Sequence, residues 1–292
     1  MTTSLRTGAV LLTAVLAALT LACTRTAGGA GVDEPVDLHR WIAQQVATFS
    51  VDGPYRDPDQ SERDTARDAF TAITGGDLAR AEQLLGDLGF RTTHAVNKDG
   101  KPVRIYWADP QTGWGGLFVD PSTAVGSVVE VPHPAFDLNT EKLGLSLFRA
   151  IPGSLLLMAG AHRQAGGGAA DVAHNDRSMF QVFSVESARR GLPQVQLHGF
   201  ADRSLPGADA VVSTGSAPHN DLAVRIAREL KAVDRQVCRA WASRCVGLEG
   251  RTNVQAAAAG DTPFVHLELG WGLRRDLADR DVVRDAIVRA WA

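Results

Sequence analysis

The chain has 292 residues, of which 45% are hydrophobic and 22% charged, and its formal net charge is −3. That composition fits an ordinary globular protein and excludes a fibrous or wholly disordered one. The slight acidity, with no basic stripe, gives no electrostatic footprint for nucleic acid, so none is expected as a partner.

The N-terminus reads as an export signal. Arg6 precedes the apolar run AVLLTAVLAALTLA, which is too short and alanine-rich for a membrane-spanning helix but suits the h-region of a signal peptide. The run closes on Thr20, Leu21, Ala22 and Cys23. A small residue directly before a cysteine at that place resembles the lipobox of bacterial lipoproteins, although Thr20 stands where leucine is commoner. The resemblance implies a signal peptide over residues 1–22 and lipid attachment at Cys23, placing an exported chain in the cell envelope with a membrane as partner through its acyl chains. Ordinary signal-peptidase cleavage near residues 27–30 is the alternative. Residues 23–35 are small, polar and glycine-rich, the chemistry of a flexible tether.

Three helices are predicted next. Residues 36–49 place Leu38, Trp41, Ile42 and Val46 on one face. Residues 62–73 repeat Ala66, Phe70 and Ile73 at helical spacing. Gly75 and Gly76 stop that helix, and Asp77 can cap the third, LARAEQLLGDLG. The short runs TTHAVN, VRIYWAD and GLFVD follow, separated by KDGK and DPQTG, which are turn chemistry. Residues 36–123 therefore read as a small α+β section of helices and a β-meander.

The pattern changes over residues 124–292. Apolar runs SVVEV, SLLLMAG, VQLHGF, DAVVST and FVHLEL alternate with the helical stretches EKLGLSLFRA, DRSMFQVFSVESARRG and DLAVRIARELKAV. Continuous apolar strands with intervening helices predict an α/β domain, a mostly parallel sheet covered on both faces. Ligands of such sheets gather outside the carboxyl ends of the strands, and His133, His162, His198 and Glu268 stand at strand ends. Of the three cysteines, Cys238 and Cys245 remain once Cys23 is accounted for. An isolated pair in an exported chain predicts a disulfide.

Three segments carry chemistry. In VPHPAFDLNTEKLG, His133 and Asp137 share one strand-to-helix turn, the way hydrolytic zinc sites often take two of their ligands. The same spacing also serves a helix cap. In VQLHGF, His198 ends a strand, and Gly199 after it lets backbone approach an ion or substrate. In FVHLELGWGLR, alternation puts His266 and Glu268 opposite the apolar face. A carboxylate in such a strand is costly unless paired or working. No G-x-S-x-G elbow, Rossmann glycine motif or P-loop is found.

In order and type, these segments together with GAHR and DVAHNDRSMF resemble the zinc carboxypeptidase-like superfamily, above all its poly-γ-glutamate hydrolase branch, and more distantly N-formylglutamate amidohydrolase. The resemblance spans roughly residues 126–280. It implies Zn²⁺ held by His133, Asp137 and His198, with Glu268 as the catalytic carboxylate, followed by Leu273 and Arg274. Asp137 stands where the pattern has Glu, so Glu141 is a rival ligand. His174 with Arg177, and His162 with Arg163, are candidates for holding a substrate carboxylate or carbonyl, since arginine grips carboxylates with a two-pronged fork. The polar loop GRTNVQ over residues 250–255 is a candidate wall of the site.

The expected function is an exported zinc-dependent hydrolase of an amide bond in a small peptide-like or polymer substrate, of peptide, γ-glutamyl or cell-wall type. The alternative from another class is a non-catalytic surface lipoprotein that binds a ligand or wall component. The lipobox has its own test. Expressed in bacteria, the protein partitions into detergent, and Cys23→Ala abolishes that partitioning; unchanged partitioning would remove the anchor.

Overall fold

The computed structural model describes Met1 and residues 34–291 apart from 98 and 218. The expected signal peptide, Cys23 and nearly all of the tether lie outside these described residues. A two-residue strand β1 (Glu34–Pro35) precedes three capped helices, α1 (Leu38–Val46), α2 (Gln60–Thr74) and α3 (Leu78–Asp87). Asp37, Asp59 and Asp77 each accept a backbone N–H of the first turn. At α2 the Glu62 side chain reaches back to the Asp59 N–H, completing a capping box.

The remaining elements follow in the expected alternation. The meander is β2 (Phe90–Val96), β3 (Pro102–Ala108) and β4 (Gly116–Val119). Then come β5 (Ser127–Val131), α4 (Thr140–Ala150), β6 (Ser154–Met158), α5 (Met179–Arg189), β7 (Gln194–Phe200) and β8 (Ala210–Ser213). The chain continues through α6 (Asp221–Ala232), β9 (Val237–Arg239), α7 (Val254–Ala258), β10 (Phe264–Gly270), α8 (Trp271–Arg274) and α9 (Leu277–Trp291). The strands form one sheet in the order β1-β2-β3-β4-β6-β5-β7-β10-β8-β9.

That sheet is mixed, not mostly parallel as expected. A parallel quartet β6-β5-β7-β10 sits at its centre. On one side β4 meets β6 antiparallel and carries the meander into the same sheet. On the other, β8 runs antiparallel to β10. Hairpin turns force the meander to alternate direction, and a strand's direction at such a junction is not encoded in its own apolar run. Within the described residues, no helix is long and apolar enough to cross a membrane.

Helices cover both faces. Val129, Val131, Leu156, Val195, Leu197, Val265 and Leu267 face α4, α6 and α9, with α1 over the meander end. Phe70, Leu85, Tyr106, Leu117, Leu155, Leu157, Phe180 and Phe183 fill the opposite side beneath α2, α3 and α5. On that second face the three central strands turn polar. Strand register puts Glu130 of β5 beside Gln196 of β7 and Gln196 beside His266 of β10. Two residues further along, it puts His198 beside Glu268. A polar band at the carboxyl ends of a parallel quartet marks where the chemistry sits.

Candidate metal centre

β5 ends at Val131, and the chain turns through His133 and Asp137 into α4. The Asp137 backbone N–H donates to the His133 carbonyl at 2.8 Å, so the five-residue turn folds both side chains back over the strand ends. There they meet His198. Asp137 Oδ2 lies 3.2 Å from His133 Nδ1 and 3.3 Å from His198 Nδ1. All three side chains are buried, at 1%, 4% and 6% exposure for His133, Asp137 and His198. Their ligand-type atoms lie within 4.8 Å of one another, a grouping that could hold a metal ion. Ligands about 2.0–2.1 Å from a shared tetrahedral centre stand about 3.4 Å apart, close to both contacts at Asp137.

The electrostatics suit a cation. Burial alone would raise the Asp137 carboxyl, but the hydrogen bond and charge of His133, with His198 beside it, outweigh burial and hold the group well below the usual range. Burial, with His266 close by, pushes His198 down to about 4, so the ring is neutral and has a lone pair to give. His133 is raised. Burial opposes its charged form, but the hydrogen bonds to Asp137 and Asp171 prevail. Asp171 Oδ1 accepts from His133 Nε2 at 2.8 Å, which turns His133 Nδ1 towards the cluster.

Glu268 stands beside this trio. It is the register neighbour of His198, its Oε2 has no hydrogen-bond partner, and Oε1 is 3.5 Å from His266 Nε2. The His266 ring stacks at 4.4 Å on His198. Its other face lies against Gly250, where an added Cβ would fall 2.7 Å from the ring and where φ is +63°. Gly250, Arg251, Thr252 and Asn253 therefore wall the cleft, as the polar loop suggested. The cleft measures about 250 Å³, and His133, His198, Glu268, Arg163 and His174 also line it. The expected Cys238–Cys245 disulfide is present at the base of this loop. The Cys245 N–H donates to Glu249 at 2.7 Å, tying the staple to the wall.

The other candidates divide. Arg163 reaches the cleft, held by Asp171 and lying over the Phe136 ring. His174 bonds Asp171 and Thr252 at 3.1 Å each. Arg177 does not join them. Its side chain is 71% exposed and pairs with Asp57. His162 sits in a neighbouring cavity with Trp107 and Trp114. Glu141 is buried at the start of α4 and raised by that burial, but it is not one of the grouped ligand atoms, so Asp137 is the carboxylate of the cluster. The space above Gly199 is occupied by protein, not by a ligand. A Cβ there would stand 2.3 Å from Arg274 Cζ.

Asp171, Gln196 and Asn253 were not singled out from the sequence, and His266 was noted only for its face. The signal for His266 and Gln196 was the polar step of alternation in β10 and β7; for Asp171 it was the acid three residues before His174.

No family model matches the sequence, and no curated protein matches it. Structural likenesses were found to solved proteins. A bacteriophage poly-γ-glutamate hydrolase shares 19% identity over 57% of this chain and 83% of its own, with a TM-score of 0.40. The gene product Atu2144 from Agrobacterium tumefaciens shares 10% identity over 58% and 92%, with a TM-score of 0.39. A protein from Shewanella denitrificans described as a candidate metallopeptidase shares 13% over 83% and 95%, with a TM-score of 0.33.

Arg274 ties the site's supports together. Its guanidinium donates to the carbonyls of Leu138, Phe200 and Leu269, joining the ligand turn to the ends of β7 and β10. Gly199→Ala displaces it and leaves buried carbonyls unpaired. The expected loss is about 2–4 kcal/mol in urea unfolding; an unchanged midpoint would contradict the clamp.

Proposed function

We propose that the protein is a metal-dependent hydrolase of amide bonds, using zinc and acting in the cell envelope from a lipid anchor at Cys23. One observation carries the reading: a buried His133–Asp137–His198 trio lies at a cleft that Glu268 also lines, with one carboxylate oxygen buried and without a hydrogen-bond partner. Two imidazoles and a carboxylate are a donor set that suits zinc and leaves a position for water or substrate.

When bound there, the cation would polarise a carbonyl and make water acidic enough to act near neutral pH. Glu268 takes the proton from the attacking water and returns it to the nitrogen that leaves. Asp171 holds His133 in register through Nε2, and the Arg274 clamp holds the turn that carries Asp137. Arg163 and His174, at the cleft rim, orient an anionic or carbonyl group of the substrate. That fits a peptide, γ-glutamyl or cell-wall amide.

Purified protein is expected to take up one zinc per chain, and His198→Ala to lose it while remaining folded. Glu268→Gln keeps shape and zinc but lowers turnover of an amide substrate by about 10²–10⁴. Retained turnover would remove Glu268 from the mechanism, loss of zinc would make it a ligand, and a wild-type chain that takes up no zinc would overturn the reading.

A further inference from the structure

Beneath the trio lies a set of buried side-chain amides that the proposed mechanism leaves unused. Gln196 is fully buried on β7, two residues before His198, and its Oε1 lies 2.7 Å from His198 Nε2. Asn253 Nδ2 approaches the same oxygen at 2.5 Å. Gln196 Nε2 faces Glu130 Oε2 at 2.7 Å and Gln255 Oε1 at 3.1 Å. Gln255 Nε2 reaches the Val172 carbonyl and Gln181 Oε1, both at 2.8 Å.

Which end of a side-chain amide carries the oxygen is decided by its hydrogen-bond partners. Here backbone groups, whose roles cannot change, make the decision at both ends. The Val172 carbonyl can only accept, so Gln255 turns its NH₂ towards it and its oxygen towards Gln196. Gln196 must then present its own NH₂ to Gln255. At the other end the Ala256 N–H can only donate, and it donates to Asn253 Oδ1 at 2.9 Å, the cap of α7. Asn253 therefore turns its NH₂ to Gln196 Oε1. Both constraints place the same oxygen of Gln196 against His198, and an oxygen with no proton can only accept. His198 must carry its hydrogen on Nε2, which leaves Nδ1 facing Asp137.

We infer that Gln196, locked by Asn253 and Gln255 and backed by Glu130, is a positioning residue that commits His198 to the Nε2–H form and so aims Nδ1 at the metal position. The inference rests on the metal-centre reading for its purpose, but the ring's proton can be located without any metal. Glu130 has a place in this scheme that its burial alone does not explain. A fully buried carboxylate, pushed up to about 7 by that burial, sits where it accepts from the Gln196 NH₂.

Nitrogen-15 spectra of histidine-labelled protein, with and without zinc, test this directly, the His198 signal being assigned by its loss in His198→Asn. Nε2 is expected to hold a slowly exchanging proton in both samples, with zinc shifting only Nδ1. A ring protonated on Nδ1 alone, or zinc on Nε2, would overturn the proposal. If the wild type takes up no zinc, the metal reading fails, while the metal-free spectrum still decides the amide lock.

A pair of substitutions separates positioning from packing. Gln196→Met keeps the volume and removes the acceptor, and zinc affinity should fall about 10–100-fold, as when such supporting partners are lost. Gln194→Met makes the same change two residues earlier on the same buried face, where the side chain bonds Ser184 instead. It should lower stability and leave zinc affinity within about threefold. Equal losses of zinc affinity in both variants would make the effect structural and contradict the inference. If neither variant folds, the wild-type spectra alone decide it.

Discussion

A carboxylate taken almost wholly out of water needs positive charge or strong donors around it, and in this chain that constraint falls on Asp137. Among the described residues, the imidazole nitrogens of His133 and His198 approach it at 3.2 and 3.3 Å, and the Arg274 charge also acts on it. Both rings are anchored from behind, His133 by Asp171 and His198 by Gln196, so neither can swing away to ease the contact. A divalent cation held between the three groups, as proposed, would add positive charge at the same point. Much of the surrounding structure serves to keep the three groups in that confrontation.

The supports come from different layers. Strand register brings His198 beside Glu268 without any side-chain contact being required. The hydrogen-bonded turn after β5 delivers His133 and Asp137 together. Arg274, crossing Gly199, fastens that turn to two strand ends through three carbonyls. The segment that follows the Cys238–Cys245 disulfide supplies the far wall, and its Asn253 both caps α7 and touches the amide set beneath His198. A polar set of this size in a sheet interior is worth its desolvation only where its members satisfy one another; the amides here do so, while Glu130 Oε1, His266 Nδ1 and Glu268 Oε2 are buried without a partner.

Much of this was legible in the sequence because it is local. SVVEV coincides with β5, FVHLEL with most of β10, and Asp77 caps α3 as its position suggested. The His133–Asp137 turn and the His198 strand end were readable as candidate ligands, and the structure brings the three side chains together. What was not legible depends on pairings between distant segments. A run such as GLFVD does not encode that β4 will add to β6 antiparallel, so the sheet is mixed where a mostly parallel one was expected. Arg177 looked like a partner for His174 by proximity in sequence, but the turn sends it to Asp57 on a remote loop. Asp171, Gln196 and Asn253 are ordinary polar residues by type. Their importance comes only from the atom each presents to a histidine or to the amide that holds one.

The most direct test of a metal bound by His133, Asp137 and His198 is X-ray absorption at the zinc edge on protein loaded with one equivalent. Two imidazole nitrogens and one carboxylate oxygen at about 2.0–2.2 Å are expected, with one imidazole lost from the spectrum in His133→Ala. A spectrum without imidazole scattering, or one unchanged by that substitution, would place the metal elsewhere and contradict the account.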